Sequence, residues 1–351
     1  MHLIGYLKEA IERKASDIFI ITGVPCAYRI DGHVIQGSGE VFKPEAVHRL
    51  IQEIYHQAKD RSQNKIQLGD DDFSFSVRGI GRFRANVYQQ RGTLAAVIRV
   101  FSFELPTVEK FNIPECIMDV CDLNYGLVLV SGQAGSGKST TLACIIDRIN
   151  RKRTGHIVTM EDPIEFIHKH KKCIVSQREI AQDSVSYISA LRAVLRQSPD
   201  VILLGELRDL ATMEIAMTAA ETGQLLFSTL HTTGAANTID RIIDVFPAEQ
   251  QKQIRNQLAM ILQAIISQQL VPSKDGTLLP VFEIMKVTPA IRNMIREGKT
   301  HMIESAIFSG SAAGMCTMDQ ALLKLHQEEQ ITEEVALKYA LHPESLKSKL
   351  G

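Results

Sequence analysis

The chain has 351 residues and a formal net charge of −1, with 39 Lys and Arg against 40 Asp and Glu. That length exceeds what one hydrophobic core supports, so two domains are expected, and the balanced charge excludes a protein that wraps DNA or RNA through its overall field. No run of about eighteen apolar residues occurs, and Cys26, Cys116, Cys121, Cys144, Cys173 and Cys316 form no C-x-x-C pair, so the expectation is a cytoplasmic protein with reduced thiols and no transmembrane segment, zinc knuckle or disulfide framework.

The opening "MHLIGYLKEAIERKASD" lacks a basic leader, and its apolar run breaks at Lys8 and Glu9. It predicts an amphipathic helix and no signal peptide. In "YRIDGHVIQ" the pair Asp31-Gly32 stands where a two-residue hairpin turn would sit. "FSFSVRGIGRFRANVYQQRGTLAAVIRV" reads as three strands with Gly79, Gly81 and Gly92 near the turns, and it carries five arginines. Residues 1–101 are therefore expected to form an antiparallel α+β domain. Pro106 and Pro114 in "FSFELPTVEKFNIPE" mark a linker, placed at 102–116.

The texture changes in the second domain, 117–351. "GLVLVSG", "HIVTMED", "DVILLGE" and "QLLFSTLH" are near-continuous apolar strands separated by helical patterns, which imply a parallel sheet covered on both faces. Ligand sites of open α/β sheets lie at the carboxyl ends of the strands, so Ser131, Glu161, Asp162, Glu206 and His231 should meet at one crevice. Beyond His231 the pattern reads as mainly helical to the end.

"GQAGSGKST" fits G-x-x-x-x-G-K-[ST] between a buried strand and a helix, which makes it a P-loop and implies ATP and Mg²⁺. Its residues are Gly132, Gln133, Ala134, Gly135, Ser136, Gly137, Lys138, Ser139 and Thr140. Backbone N–H groups from Gln133 to Lys138 would cradle phosphates, Lys138 would reach the β and γ oxygens, and the Ser139 hydroxyl would face Mg²⁺. Hydrolysis needs a group that orients water, and Glu206 ends a neighbouring strand. Glu161, Asp162 and Glu165 cluster around Pro163, where they can hold Mg²⁺, partly through water, or cap the following segment.

"AIRNMIREGK" predicts a short helix with Thr288 as its cap, Pro289 in its first turn and Gly298 as its stop. Ile291, Met294 and Ile295 share one face. Arg292, Asn293, Arg296 and Glu297 share the other, more fixed polar chemistry than solubility requires.

Taken together, "GQAGSGKSTTLA", "TMEDPIEF", "GELRDLAT", "STLHTTGAA", "DRIIDVFP" and "AIRNMIRE" make the chain resemble the secretion ATPase superfamily of type II secretion and type IV pili. Within it the chain is most similar to the twitching-motility ATPases that power pilus retraction. In that family the first four motifs are the Walker A motif, Asp box, Walker B motif and His box. The resemblance implies an N-terminal PAS-like domain, a C-terminal RecA-like P-loop domain with a mainly parallel sheet and a helical C-terminal region, and a homohexamer. It further implies an inner-membrane platform protein as partner and a peripheral location at the pilus base. Arg84 and Arg99 match the family's arginine fingers, with Arg82 and Arg91 as weaker matches, and His231 matches the His box. Where the family usually has a second histidine this chain has Gln224, which cannot gain charge. The segment with Arg292, Asn293, Arg296 and Glu297 is implied to serve motor output.

Three rivals differ in testable features. A RecA-like nucleic-acid translocase should line its pore with basic residues, and the near-neutral charge without evident basic runs points to no direct nucleic-acid partner. A non-hydrolysing scaffold would lack a water-orienting acid, and Glu206 argues against it. Pilus extension and type II secretion enzymes usually carry C-x-x-C pairs, absent here. An accessory retraction ATPase shares every motif above.

Overall fold

The hairpin expected at Asp31-Gly32 is present in the computed structural model of the chain, which describes residues 2–58, 69–101 and 104–350. Ile30 pairs with His33, and the two turn residues have φ of 49° and 81°, the left-handed pair that a twist-matched two-residue turn requires. Arg91-Gly92 repeats the device between Gln90 and Thr93, with φ of 48° and 76°.

Two units make up the chain, residues 1–104 and 105–351. The first contains α1 (Leu3–Glu12), β1 (Asp17–Ile20), β2 (Ala27–Ile30), β3 (His33–Gln36), α2 (Pro44–Gln57), β4 (Asp70–Val77), β5 (Gly81–Gln90) and β6 (Thr93–Phe101). Its six strands form one antiparallel sheet in the order β3-β2-β1-β6-β5-β4. Leu3 and Leu7 of α1 and Ile51 and Ile54 of α2 join Ile18, Phe83 and Ile98 from the strands in its core.

The second unit is an α/β layer structure. It opens with β7 (Gly126–Ser131), α3 (Lys138–Lys152), β8 (Gly155–Glu161), β9 (Cys173–Glu179), α4 (Tyr187–Val194), β10 (Val201–Leu204), α5 (Leu210–Glu221) and β11 (Leu225–Leu230). There follow α6 (Ala235–Asp244), α7 (Ala248–Ile261), β12 (Leu262–Pro272), β13 (Leu278–Lys286) and α8 (Pro289–Glu297). Four helices close it, α9 (Ile303–Ser309), α10 (Met318–Gln327), α11 (Glu333–Tyr339) and α12 (Pro343–Leu350).

The sheet order is β13-β12-β7-β11-β10-β8-β9, parallel except for β13. Alternate side chains of each strand enter opposite cores. Leu127, Leu129, Ile202, Leu204 and Leu226 lie in the core that α4 to α7 build, while Val128, Val130, Leu203, Leu225 and Phe227 lie with Ile145 and Ile149 of α3. Both faces are covered, which is why these strands read as unbroken apolar runs.

The region after His231 is mainly helical, as expected, but β12 and β13 extend the sheet between α7 and α8. α7 passes into β12 with no loop between Ile261 and Leu262, and an apolar run such as "LAMILQAIISQQLV" carries no period that separates helix from buried strand. The linker also contracts. Residues 102 and 103 lie outside the described residues, and from Leu105 onward the chain belongs to the second unit, where Ile113 is buried and the Cys144 thiol donates to the Pro106 carbonyl at 3.4 Å. Among the described residues no helix is long and apolar enough to cross a membrane, no three His, Cys, Asp or Glu side chains gather as a metal site, and the cysteines are unpaired.

Candidate nucleotide-binding site

In the order β7-β11-β10-β8 four neighbouring strands deliver their carboxyl ends side by side, so the P-loop, His231, Glu206 and Glu161 come together. They line one cleft of about 260 Å³ within the second unit, with Ala134, Gly135, Lys138, Ser139, Asp162 and Glu165. Gln133 is exposed on the outer rim of the loop, and Thr140 is half-buried beside the helix start.

The loop is fixed by what lies under it. Gly132 has φ 145°, and a Cβ there would stand 2.2 Å from the Gln268 carbonyl oxygen; Gly137 has φ 90°, and a Cβ there would stand 2.7 Å from Gln268 Nε2. Gln268 is a buried residue of β12 whose Oε1 accepts from Thr141 Oγ1 at 2.7 Å, so it forms the floor of the loop. Sequence reasoning passed over it. Its signal was a polar pair, "QQ", inside an apolar run.

Lys138 Nζ donates to the carbonyls of Gly132 at 2.7 Å and Gln133 at 2.8 Å. Burial lowers its pKa, opposed by the nearby Glu206 and Glu165 carboxylates. The Ser136 hydroxyl is buried without a hydrogen-bond partner among the described residues. An ammonium and an orphan hydroxyl, with the N–H groups of a helix's first turn, are the donor set an anionic phosphate chain satisfies. The loop therefore fits a nucleotide.

The carboxylates divide by environment. Glu206 is 13% exposed and held on both oxygens, by Arg208 Nη2 at 2.5 Å and by His231 Nε2 at 3.2 Å. Thr229 Oγ1 donates to the Gly205 carbonyl at 2.6 Å and Leu207 N to the Thr229 carbonyl at 3.1 Å, which clamps the end of β10 to β11 and fixes the Glu206 backbone. Glu161 accepts from Thr159 Oγ1 at 2.6 Å and Gln177 Nε2 at 3.1 Å, and burial pushes its carboxyl up to about 7. Glu165 accepts from Ser139 Oγ at 3.2 Å, and Asp162 is exposed. Buried Glu179 takes the Ile164 N–H at 2.9 Å and so anchors the turn that carries Glu165. Among the described residues no three carboxylates gather at one point, so the set suits a metal that keeps phosphate and water ligands, the usual habit of Mg²⁺, better than an all-protein cage.

Other predicted residues lie elsewhere. Arg84 and Arg99 sit directly opposite each other on β5 and β6 of the first unit; Arg84 Nη2 meets Asp72 Oδ2 at 2.7 Å and Arg99 Nε meets Asp17 Oδ1 at 3.4 Å. α8 has its predicted boundaries, with Thr288 Oγ1 accepting from Ile291 N at 3.3 Å and Gly298 at φ 69°. Its polar face is not uniform. Asn293, Arg296 and Glu297 are exposed, but Arg292 turns inward and donates to the Ala259 and Met260 carbonyls, at 2.6 and 2.8 Å. These are last-turn carbonyls of α7, so Arg292 caps that helix. Buried Glu283 on β13, also passed over, accepts from Ala235 N at 2.6 Å and Met318 N at 3.3 Å, and so ties the starts of α6 and α10 together.

The sequence profile of the family described as "Type II/IV secretion system protein" matches residues 2–335. The chain belongs to that family. This type II/IV secretion system protein is 44% identical to the type IV pilus retractation ATPase PilT of Pseudomonas aeruginosa, over 98% of its own length and all of the relative's. It is 39% identical to the type IV pilus ATPase PilU of the same organism, over 95% of this chain and 87% of that one. The crystal structure of the pilus retraction motor PilT with bound ADP superposes with a TM-score of 0.93 at 45% identity, covering 99% of both chains. Within this secretion system protein, Gln224 and His231 bracket β11, so Gln224 stands at the far end of the strand, roughly 20 Å from the cleft. A histidine in its place would face the same distance.

Proposed function

We propose that this chain is a Mg²⁺-dependent ATPase that works as a homohexamer to power type IV pilus retraction, docked on an inner-membrane platform protein at the pilus base. The observation that carries the reading is the convergence of Lys138, Glu206, His231 and Glu165 on one P-loop cleft. Similarity to a retraction ATPase along the full length supports the mechanical role. The loop amides and Lys138 bind the phosphate chain of ATP. Glu206, steadied by Arg208 and His231, orients the attacking water and accepts its proton. Ser139 and Glu165 would hold Mg²⁺, with Glu161 and Asp162 reaching it through water, and the ion would supply charge neutralisation at the phosphates.

Arg84 and Arg99 would add positive charge in the transition state. Arg84→Ala and Arg99→Ala are then expected to leave nucleotide affinity within a few-fold and to cut turnover by about tenfold or more. Their ion pairs to Asp72 and Asp17 provide the alternative outcome. If thermal stability or oligomer mass falls while turnover per assembled oligomer holds, the two arginines serve only the first unit's fold.

α8 is proposed to transmit the stroke, and Arg292 and Arg296 should separate. Arg292→Ala strips the cap from α7 and is expected to lower stability by about 1–3 kcal/mol in denaturant unfolding. Arg296→Ala should leave folding and ATPase rate intact and uncouple hydrolysis from retraction; normal retraction would return α8 to a surface helix. An accessory retraction role is the second reading, kept because the chain is also 39% identical to a second type IV pilus ATPase of the same organism. Deletion of the gene, complemented by this chain, decides: excess surface pili with lost surface motility in the deletion, both restored on complementation, establish the primary role.

A further inference from the structure

Two basic runs escape the sequence reading given above, "RINRKR" ending at Arg153 and "HKHKK" ending at Lys172. His168, the first residue of the second run, still lines the nucleotide cleft, and from there the run leads away to the start of β9, where its end meets the end of the first run beside the start of β8. Asn150 is the joint. Its Oδ1 accepts the N–H groups of Lys171 at 3.1 Å and Cys173 at 3.3 Å, its Nδ2 donates to the Lys169 carbonyl at 2.7 Å, and its own carbonyl accepts from Lys172 N at 2.9 Å.

Part of the charge is neutralised in place. Arg148 pairs with Glu115, Lys152 with Asp122, and Arg151 and Lys171 share Asp147. Arg153, Lys169 and Lys172 make no ion pair among the described residues, and Lys169 and Lys172 are exposed. Cations in a helix's last turn offset its dipole, which accounts for Arg151 and Lys152 at the end of α3. It does not account for the lysines of the β8–β9 connection. Arg153 and Lys172 border a concavity of about 760 Å³ whose lining also offers Asp200, Thr222 and Gln224. Beside its lining residues Asn124 and Cys173 stand Tyr125 and Ile174, 56% and 63% exposed.

We propose that this region is a docking surface for an extended, carboxylate-rich segment of a partner protein. The cations without an ion pair give charge-assisted bonds to Asp and Glu side chains, and Gln224, whose Oε1 accepts from Thr222 Oγ1 at 2.9 Å, turns its amide NH₂ to a peptide carbonyl. Tyr125 and Ile174 add the apolar contact that a peptide interface uses. A polyphosphate chain fits less well, because it lacks the backbone C=O groups that the Gln224 amide can pair with, and a flat bilayer does not enter a concavity of this size. The surface is separate from the nucleotide cleft, so the inference goes beyond the motor activity proposed above.

The test uses the purified full chain and a fluorescein-labelled peptide of about twelve residues alternating Glu and Ser, followed by anisotropy at roughly physiological salt. Saturable binding is expected, weakened at least about tenfold in Arg153→Glu and in Lys169→Glu/Lys172→Glu, with Lys349→Glu binding like the wild type. A peptide alternating Lys and Ser should not bind. Nucleotide affinity, thermal midpoint and oligomer mass should be unchanged in the double variant, whose two positions are exposed and so keep the test valid if Arg153→Glu misfolds. Unchanged peptide binding in the double variant overturns the proposal. So does loss of oligomer mass in that variant, which would make this region a contact between copies of this chain. Binding of phosphatidylglycerol vesicles or a single-stranded oligonucleotide that the double variant abolishes, with no peptide binding by the wild type, overturns it in favour of a membrane or nucleic-acid surface.

Discussion

Lys138→Ala is expected to bind ADP at least about a hundredfold more weakly than the wild type and to show no measurable ATP turnover. The ammonium now donates to two carbonyls of its own loop, at 2.7 and 2.8 Å. When it turns to phosphate oxygens it exchanges neutral acceptors for charged ones, and each charged bond is worth about 1.5–3 kcal/mol. Two such bonds amount to two decades of affinity or more. Stability should move little, because the pKa of Lys138 is already lowered by burial and removing a poorly solvated cation relieves that cost. Calorimetric titration with ADP beside a thermal melt reads both quantities. ADP affinity within threefold of wild type would show that this loop does not use its lysine, and the P-loop assignment would fall with it.

Glu206→Gln separates the catalyst from the cradle. Turnover is expected to fall on the order of a hundredfold or more while ADP affinity stays within a few-fold. Gln preserves size but not acceptor chemistry. Both carboxylate oxygens of Glu206 are engaged, by Arg208 and His231, and an amide must present its NH₂ group to one of those partners. The water-orienting group is thereby lost and the geometry around it loosened. Single-turnover hydrolysis on the purified protein measures the chemical step directly. Should Glu206→Gln hydrolyse ATP at the wild-type rate, Glu165→Gln becomes the next variant, since Glu165 accepts from Ser139 in the same cleft.

The nucleotide site was legible because each part of it is a local signal. A buried strand, a glycine loop and a helix start form one continuous segment, and Glu161, Glu206 and His231 mark strand ends in a sheet whose ligand side is known beforehand. Alternation and turn chemistry likewise gave the first unit's hairpins, since Asp31-Gly32 and Arg91-Gly92 carry their own geometry. The residues that hold these parts in place left weaker traces. Gln268 contacts Thr141 from 127 positions away and Glu283 reaches Ala235 from 48, and no spacing rule connects residues at such separations.

By itself, then, the sequence determined the P-loop, the buried parallel strands, the caps of α8 and the side of the sheet where chemistry would gather, all products of short-range backbone preference and apolar period. Tertiary structure decided the rest. It turned "LQAIISQQLV" into a strand because a vacant edge of β7 was there to pair with it. It drew Arg292 out of the polar face of α8 because the carbonyls of α7 ended within its reach. It also joined the ends of two short basic runs through Asn150, with Arg153, Lys169 and Lys172 making no ion pair among the described residues. The physical reason is the same in each case: a polar side chain commits to whichever partner folding brings within hydrogen-bond distance, and that partner is set by the packing of remote segments.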